Sequence, residues 1–172
     1  MNTSDHGRDF IKHFEGFSAE AYPDPGSKTG EPWTIGFGHT GPDVKMGMKI
    51  TRMEAGILLV KDLIYVEKAI ERYVKLPVVQ KEFDALASFI YNVGVAAFKD
   101  SSFLKLLNLG KRFDAAEEFL KWNKNDKAVM GVLVKRRAAE RKLFLGFSYS
   151  ESLKEGERAY EIYRQRLQNP RN

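Results

Sequence analysis

The chain has 172 residues, the length of one domain or of a small domain with a modest second lobe. Its 43% hydrophobic and 30% charged residues exclude disorder and collagen, and the lack of cysteine excludes a disulfide framework, a thiolate nucleophile and a Cys-based zinc site. The net charge of +5 is uneven, −3 over residues 1–47 and +8 over the rest, so the basic body suits nucleic acid, anionic lipid or an acidic polymer, beside the plainer use of basic charge for solubility.

The first residues, Met1 to Arg8, are polar and lack the apolar core of a secretory signal, so export is expected to use another route. No apolar run approaches the roughly 18–20 residues of a membrane helix. A first helix is predicted over 4–15, capped by Thr3 or Ser4, with Phe10, Ile11 and Phe14 inward and Gly16 as its stop. Pro23-Asp-Pro-Gly26, Gly30 and Pro32 are turn chemistry, and Trp33-Thr-Ile-Gly-Phe-Gly-His39 reads as a strand of a small antiparallel sheet. Gly36 and Gly38 leave one strand face bare, which marks the close approach of a ligand or another backbone.

Thr51-Arg-Met-Glu54 is a capping box that opens a long helix to about Val74, ended by Pro77. Ile57, Val60 or Leu59, Leu63, Ile64 and Ile70 are predicted to face inward. Further helices are predicted over 79–93, from Ser101 or Ser102 to about 108, over 113–122, over 132–145 and over 150–167, with a loop at 123–126. The outline is α+β: a helix, a small sheet, then five or six helices.

Several chemistries find no support. There is no Gly-x-Ser-x-Gly, His6, His13 and His39 have no triad context, and no paired-histidine metal motif is present. Gly36-x-Gly38 lacks the third glycine and the parallel strand context of a dinucleotide site, and nucleic acid is favoured by charge alone. What remains is a pair of carboxylates. Glu15 ends an apolar helix between Phe14 and Phe17, a setting that favours the protonated form a general acid needs. Asp24 lies in a more open turn that favours the ionised form. Two carboxyls in contrasting environments are the arrangement for hydrolysing an acetal, although an aspartate in a turn is also ordinary turn chemistry.

Glu15 and Asp24, with eight residues between them, followed by Trp33-Thr-Ile-Gly-Phe-Gly-His-Thr40, resemble the phage-type lysozymes, the muramidases also called endolysins, of the lysozyme-like superfamily. The resemblance continues in order through Phe83-Asp-Ala-Leu-Ala-Ser-Phe-Ile-Tyr-Asn-Val-Gly94, Ala97-Phe98, Phe113 to Trp122 and Gly131 to Arg141, and covers about residues 8–147. It implies one catalytic domain, 1–147: a small lobe at about 16–55, a linking helix at about 51–75, and a helical lobe at about 76–147 joined by the first helix. Residues 148–172 would be a helical extension, with Leu153, Tyr160, Tyr163 and Leu167 on one side, docked on the larger lobe or meeting a partner or an anionic surface.

The resemblance also implies hydrolysis of the β-1,4 bond between N-acetylmuramic acid and N-acetylglucosamine in peptidoglycan, with no metal or cofactor. Glu15 would be the acid, Asp24 the base or electrostatic partner, and Thr34 would help hold the attacking water. Arg137, or neighbouring Arg136, matches an arginine facing the catalytic glutamate; a solvated basic helix face is the plain alternative. Asn92 would bind substrate or be a satisfied buried amide, His39 would pack or hydrogen-bond beneath the sheet, and Trp122 would be core. In the family five residues usually separate the aspartate from the threonine, whereas nine separate Asp24 from Thr34 here, which makes Thr29 the competing threonine. Loops tolerate such insertions, so the extra length is expected to bulge outward.

Competing readings are a lytic transglycosylase, which needs only the acid, and a non-catalytic peptidoglycan-binding module. The expected partner is the glycan strand, with no nucleic acid and no stable membrane insertion, and the expected state is a monomer. A phage lysis protein would leave the cytoplasm through a membrane pore to act in the periplasm or wall; a secreted toxin effector would bring an immunity protein with it.

Overall fold

The computed structural model describes residues 1–23, 31–125 and 128–169. The chain divides into two compact units, residues 8–65 and residues 1–7 with 66–172.

The unit of residues 8–65 is built on helix α1 (Asp5–Glu15), a three-stranded antiparallel sheet of β1 (Ser18–Pro23), β2 (Trp33–Gly36) and β3 (His39–Thr40), and the first part of α2 (Arg52–Tyr73). α1 buries Phe10 and Ile11, two of the three residues predicted inward. Gly16 stops it at a φ of +71°, which an L side chain rarely adopts. In the sheet Tyr22 lies opposite Thr34, which lies opposite Thr40, while Ile35 lies opposite His39. Gly36 answers the bare-face prediction: its φ is +68°, and a Cβ there would come within 2.9 Å of the Ala55 Cβ on α2. The approaching backbone is therefore α2.

α2 begins at the predicted capping box. Thr51 N–H and Oγ1 both donate to the Glu54 carboxylate, at 2.7 and 2.8 Å, and Glu54 N–H donates back to Thr51 Oγ1. Those bonds, the backbone one foremost, hold the Glu54 carboxyl below its ordinary range. The buried face agrees with the predicted one at Leu59, Leu63 and Ile70 and differs from it elsewhere. Ala55, Leu59, Leu63, Val66 and Ile70 are inside, whereas Ile57, Val60 and Ile64 are about half exposed. The helix carries apolar side chains on two faces, so periodicity alone left its rotation open.

The other unit holds the rest of α2, α3 (Gln80–Val93), α4 (Val95–Asp100), α5 (Ser102–Asn108), α6 (Arg112–Glu118) with a 3-10 turn to Lys121, a two-residue hairpin of β4 (Lys124–Asn125) and β5 (Ala128–Val129), α7 (Gly131–Phe144) and α8 (Tyr149–Gln168). Residues 1–7 belong with it because the buried Asp84 of α3 accepts from Ser4 N–H, Ser4 Oγ and Tyr149 Oη. Burial and the Asp84 bond push the Tyr149 hydroxyl up to about 12. The core is aromatic: Phe103 packs edge-on against Phe119 and Phe144 at 4.7 and 5.7 Å, with Phe89 beside Phe103 at 5.6 Å. Helix α4 and the β4–β5 pairing were not predicted; β4 stands within the loop expected at 123–126, whose last residue lies outside the described residues.

Helix α8 packs on α7 through small residues. Ser152 and Gly156 are buried, and Gly156 sits against the Lys135 carbonyl. Lys135 reaches Glu157, and Tyr163 Oη donates to the Val129 carbonyl at 2.9 Å. Leu153, Tyr160 and Tyr163 are partly buried as predicted, but Leu167 is 64% exposed, because the helix runs beyond the surface it docks on.

Candidate functional site

Within residues 8–65, Glu15 is the last residue of α1 and is half-buried. Its place follows from the helix stop: Gly16 N–H closes the last turn on the Lys12 carbonyl at 3.1 Å, and positive φ then turns the chain into the sheet. Asp24, and with it Thr29, lies outside the described residues.

Thr34 is mid-strand on β2, and its Oγ1 is 2.9 Å from Thr40 Oγ1. Thr40 Oγ1 also faces the Gly38 carbonyl at 3.4 Å. When Thr40 donates to that carbonyl, its oxygen accepts from Thr34, which leaves the Thr34 lone pairs to accept a hydrogen bond from a water molecule.

His39, on β3, is held from both ring nitrogens. Nδ1 lies 2.8 Å from Asp62 Oδ2 on α2, and Nε2 lies 3.2 Å from Asp43 Oδ2. Burial works against the charged ring, but the bonds to Asp62 and Asp43 outweigh it and raise the His39 pKa. The His39 bond likewise lowers the Asp43 carboxyl. The sheet is thus pinned to α2, as expected of a histidine bonded beneath it. Asp62 itself had not been predicted; its sequence signal is an acid set next to Leu63 on the side of α2 that packs inward.

In the other unit, Arg137 is fully buried on α7, so the solvated basic face is excluded, and Arg136 is 4% exposed. The two share one carboxylate: Arg136 Nε is 3.0 Å from Glu140 Oε1 and Arg137 Nε is 3.1 Å from Glu140 Oε2, while Ser88 Oγ donates to Oε1 at 2.7 Å. The Arg137 guanidinium lies over the Phe89 ring at 4.9 Å and donates through Nη2 to Asn92 Oδ1 at 2.7 Å. Asn92 is exposed at the end of α3, not buried, and its carbonyl oxygen is oriented by the arginine. With Trp122, Lys124, Asn125 and Met130 it lines a cavity of about 540 Å³. Trp122 is half-buried, edge-on to Phe89 at 5.4 Å, so it joins the core and also borders that cavity. Glu140 was missed in the sequence, although a glutamate three and four positions after two arginines on an inward helix face carries that signal.

Among the described residues no group of three or more His, Asp or Glu side chains is arranged to hold a metal ion.

The phage lysozyme family model matches residues 12–140. The chain is similar to the endolysin of Bacillus phage B103, 45% identical over 145 residues that cover 84% of this chain and 54% of that one. It is similar to the endolysin of Salmonella phage P22, 42% identical over 84% of this chain and 99% of that one. Among solved structures it resembles the muramidase domain of SpmX from Asticcacaulis excentricus, with a TM-score of 0.78 and 35% identity over 85% of this chain and 99% of that domain. The chain spans about half the length of the Bacillus phage endolysins it matches. The likeness to solved structures fixes the fold as the lysozyme-like α+β architecture.

Proposed function

The chain belongs to the phage lysozyme family, and we propose that it hydrolyses the β-1,4 bond between N-acetylmuramic acid and N-acetylglucosamine in the peptidoglycan of a bacterial cell wall. The observation that carries the reading is the family match over residues 12–140, which includes Glu15, Asp24 and Thr34.

Glu15 donates its proton to the glycosidic oxygen as the bond from that oxygen to the anomeric carbon breaks. The sugar passes through an oxocarbenium-like state, and a water molecule attacks the anomeric carbon. Asp24 takes a proton from that water, and Thr34, its hydroxyl ordered by Thr40 at 2.9 Å, accepts the other hydrogen bond and orients the attack. Inversion requires carboxyls about 6.5–9.5 Å apart, which leaves room for the water. Asn92 contributes its amide N–H₂ to the substrate, and Arg137 is a positioning residue that fixes which way that amide points. His39 is likewise a positioning residue, since Asp62 and Asp43 hold the strand that carries Thr40.

The site of action is the periplasm or cell wall, reached after synthesis in the cytoplasm through a membrane pore or a secretion system. An immunity protein is the partner in the second case. The protein works as a monomer.

The test is turbidity loss of purified peptidoglycan, followed by mass analysis of the released ends. Wild type clears the suspension and releases reducing N-acetylmuramic acid ends, and Glu15→Gln slows clearing by about 10²–10⁴-fold while folding and sacculus binding persist. Anhydro-ended products would replace hydrolysis by transglycosylation. Binding without clearing by wild type would make the protein a wall-binding module.

A further inference from the structure

The outward face of α2 is apolar where an exposed helix face is ordinarily polar. Met53, Ile57, Val60 and Ile64 are 79%, 52%, 46% and 47% exposed. Spacings of four, three and four residues place them in one stripe about 16 Å long. Tyr65, 68% exposed, flanks its end about 100° round the helix.

Beside the stripe runs a groove of about 500 Å³, bordered by Met53, Gly56, Ile57 and Val60 together with Arg8, Lys12 and Lys61. No carboxylate is among these described lining residues. An adjoining cavity shares Lys12 and Met53 and adds His13, Asp9 and Arg52, whose guanidinium stacks over Phe17 and Phe37 at 5.0 and 5.5 Å. Asp9 is engaged by Lys12 at 3.0 Å. The surface therefore combines an apolar ridge with four cations, of which Lys12 is bonded to Asp9.

That combination selects its occupant by charge. A second copy docked through the same face would bring two sets of these cations together. An anionic bilayer instead offers hydrocarbon to the ridge, phosphates to the cations and a headgroup layer to an amphipathic ring such as Tyr65. Among the described residues no helix is long and apolar enough to cross a membrane, so the contact is peripheral.

We propose that this face of residues 8–65 docks on an anionic phospholipid surface, with Met53, Ile57, Val60 and Ile64 entering the interfacial layer and Arg8, Lys12, Arg52 and Lys61 meeting phosphates. Neither Glu15 nor Thr34 is among the residues that line it, so the proposal stands or falls independently of the wall chemistry.

Cosedimentation with vesicles tests it. The protein binds vesicles of phosphatidylglycerol mixed with phosphatidylcholine and not vesicles of phosphatidylcholine alone. The double variant Ile57→Asn/Ile64→Asn leaves net charge unchanged and alters side chains that are already half exposed; with circular dichroism and melting as in wild type, its binding falls by about tenfold or more. Lys61→Gln lowers binding by about fivefold. A matched pair on α8, Ile162→Asn/Leu167→Asn, leaves binding intact. Absence of binding to the anionic vesicles overturns the proposal, as does binding that survives the α2 pair or falls equally with the α8 pair. Dimerisation without vesicles that the α2 pair abolishes assigns the stripe to a second copy and overturns it as well.

Discussion

His39 sits between two carboxylates and shows how one residue couples the sheet to pH. Its folded pKa is raised above the ordinary 6.5, because the bonds to Asp62 and Asp43 outweigh the opposing cost of burial. A raised histidine binds its proton more tightly in the folded chain, so the stabilisation is complete below 6.5 and is lost as pH climbs through the raised value. Asp43 has a side chain 62% exposed, which water screens, whereas the Asp62 side chain is 27% exposed and carries more of the effect. Replacing Asp62 by Asn should therefore cost about 1–2 kcal/mol near pH 5.5 and markedly less near pH 9. Urea denaturation of both proteins across that range checks it, and a gap that widens with pH would reverse the assignment. This site was half legible in the sequence. His39 stood out in a glycine-rich strand, but its partner lies 23 positions away, and only the packing of α2 against the sheet brings Asp62 to it.

At the scale of elements, two helical glycines should respond to the same substitution with opposite sign. Alanine in a helix interior is favoured over glycine by about 0.5–1 kcal/mol when space permits. At Gly56 a Cβ meets nothing within 4 Å, so Gly56→Ala should stabilise by about that amount. At Gly156 the Cβ would lie 2.7 Å from the Lys135 carbonyl oxygen and 3.2 Å from the Ala139 Cβ. The backbone of α7 cannot yield cheaply, so strain of about 1–3 kcal/mol exceeds the propensity gain and Gly156→Ala should destabilise. Thermal melts of the two variants on either side of wild type are the expected outcome. Element positions were more legible than element faces. Caps and breakers are local chemistry, so the Thr51–Glu54 box and the Gly16 and Gly94 stops marked their helix ends to within a residue or two. Faces depend on what packs where: α2 offered two apolar sides and turned Leu59 and Leu63 inward, and a solvated face stayed open as the alternative for Arg136 and Arg137, which the structure buries beside Glu140 of their own helix. The short α4 and the β4–β5 hairpin lack the length for a periodic signal.

For the molecule as a whole, charge is divided as the fold is. The unit of residues 1–7 and 66–172 holds 21 basic and 15 acidic side chains, while residues 8–65 hold seven and eight. The excess positive charge thus lies on the helical unit, and an anionic polymer approaching the protein is drawn to that unit. Attraction of this kind acts over the Debye length, about 10 Å at 0.1 M salt and about 3 Å at 1 M. It acts on encounter more than on the proposed bond-breaking step, which would be local to the carboxyls. Raising salt across that interval should therefore lower kcat/KM on intact, negatively charged sacculi severalfold while leaving turnover at saturating substrate nearly unchanged. A short uncharged chito-oligosaccharide separates the two effects, because it samples the same chemistry without the field: its kcat/KM should change little with salt. Equal salt sensitivity for both substrates would move the effect from attraction to the reacting groups themselves, and would make the basic helical unit a matter of solubility, not of capture.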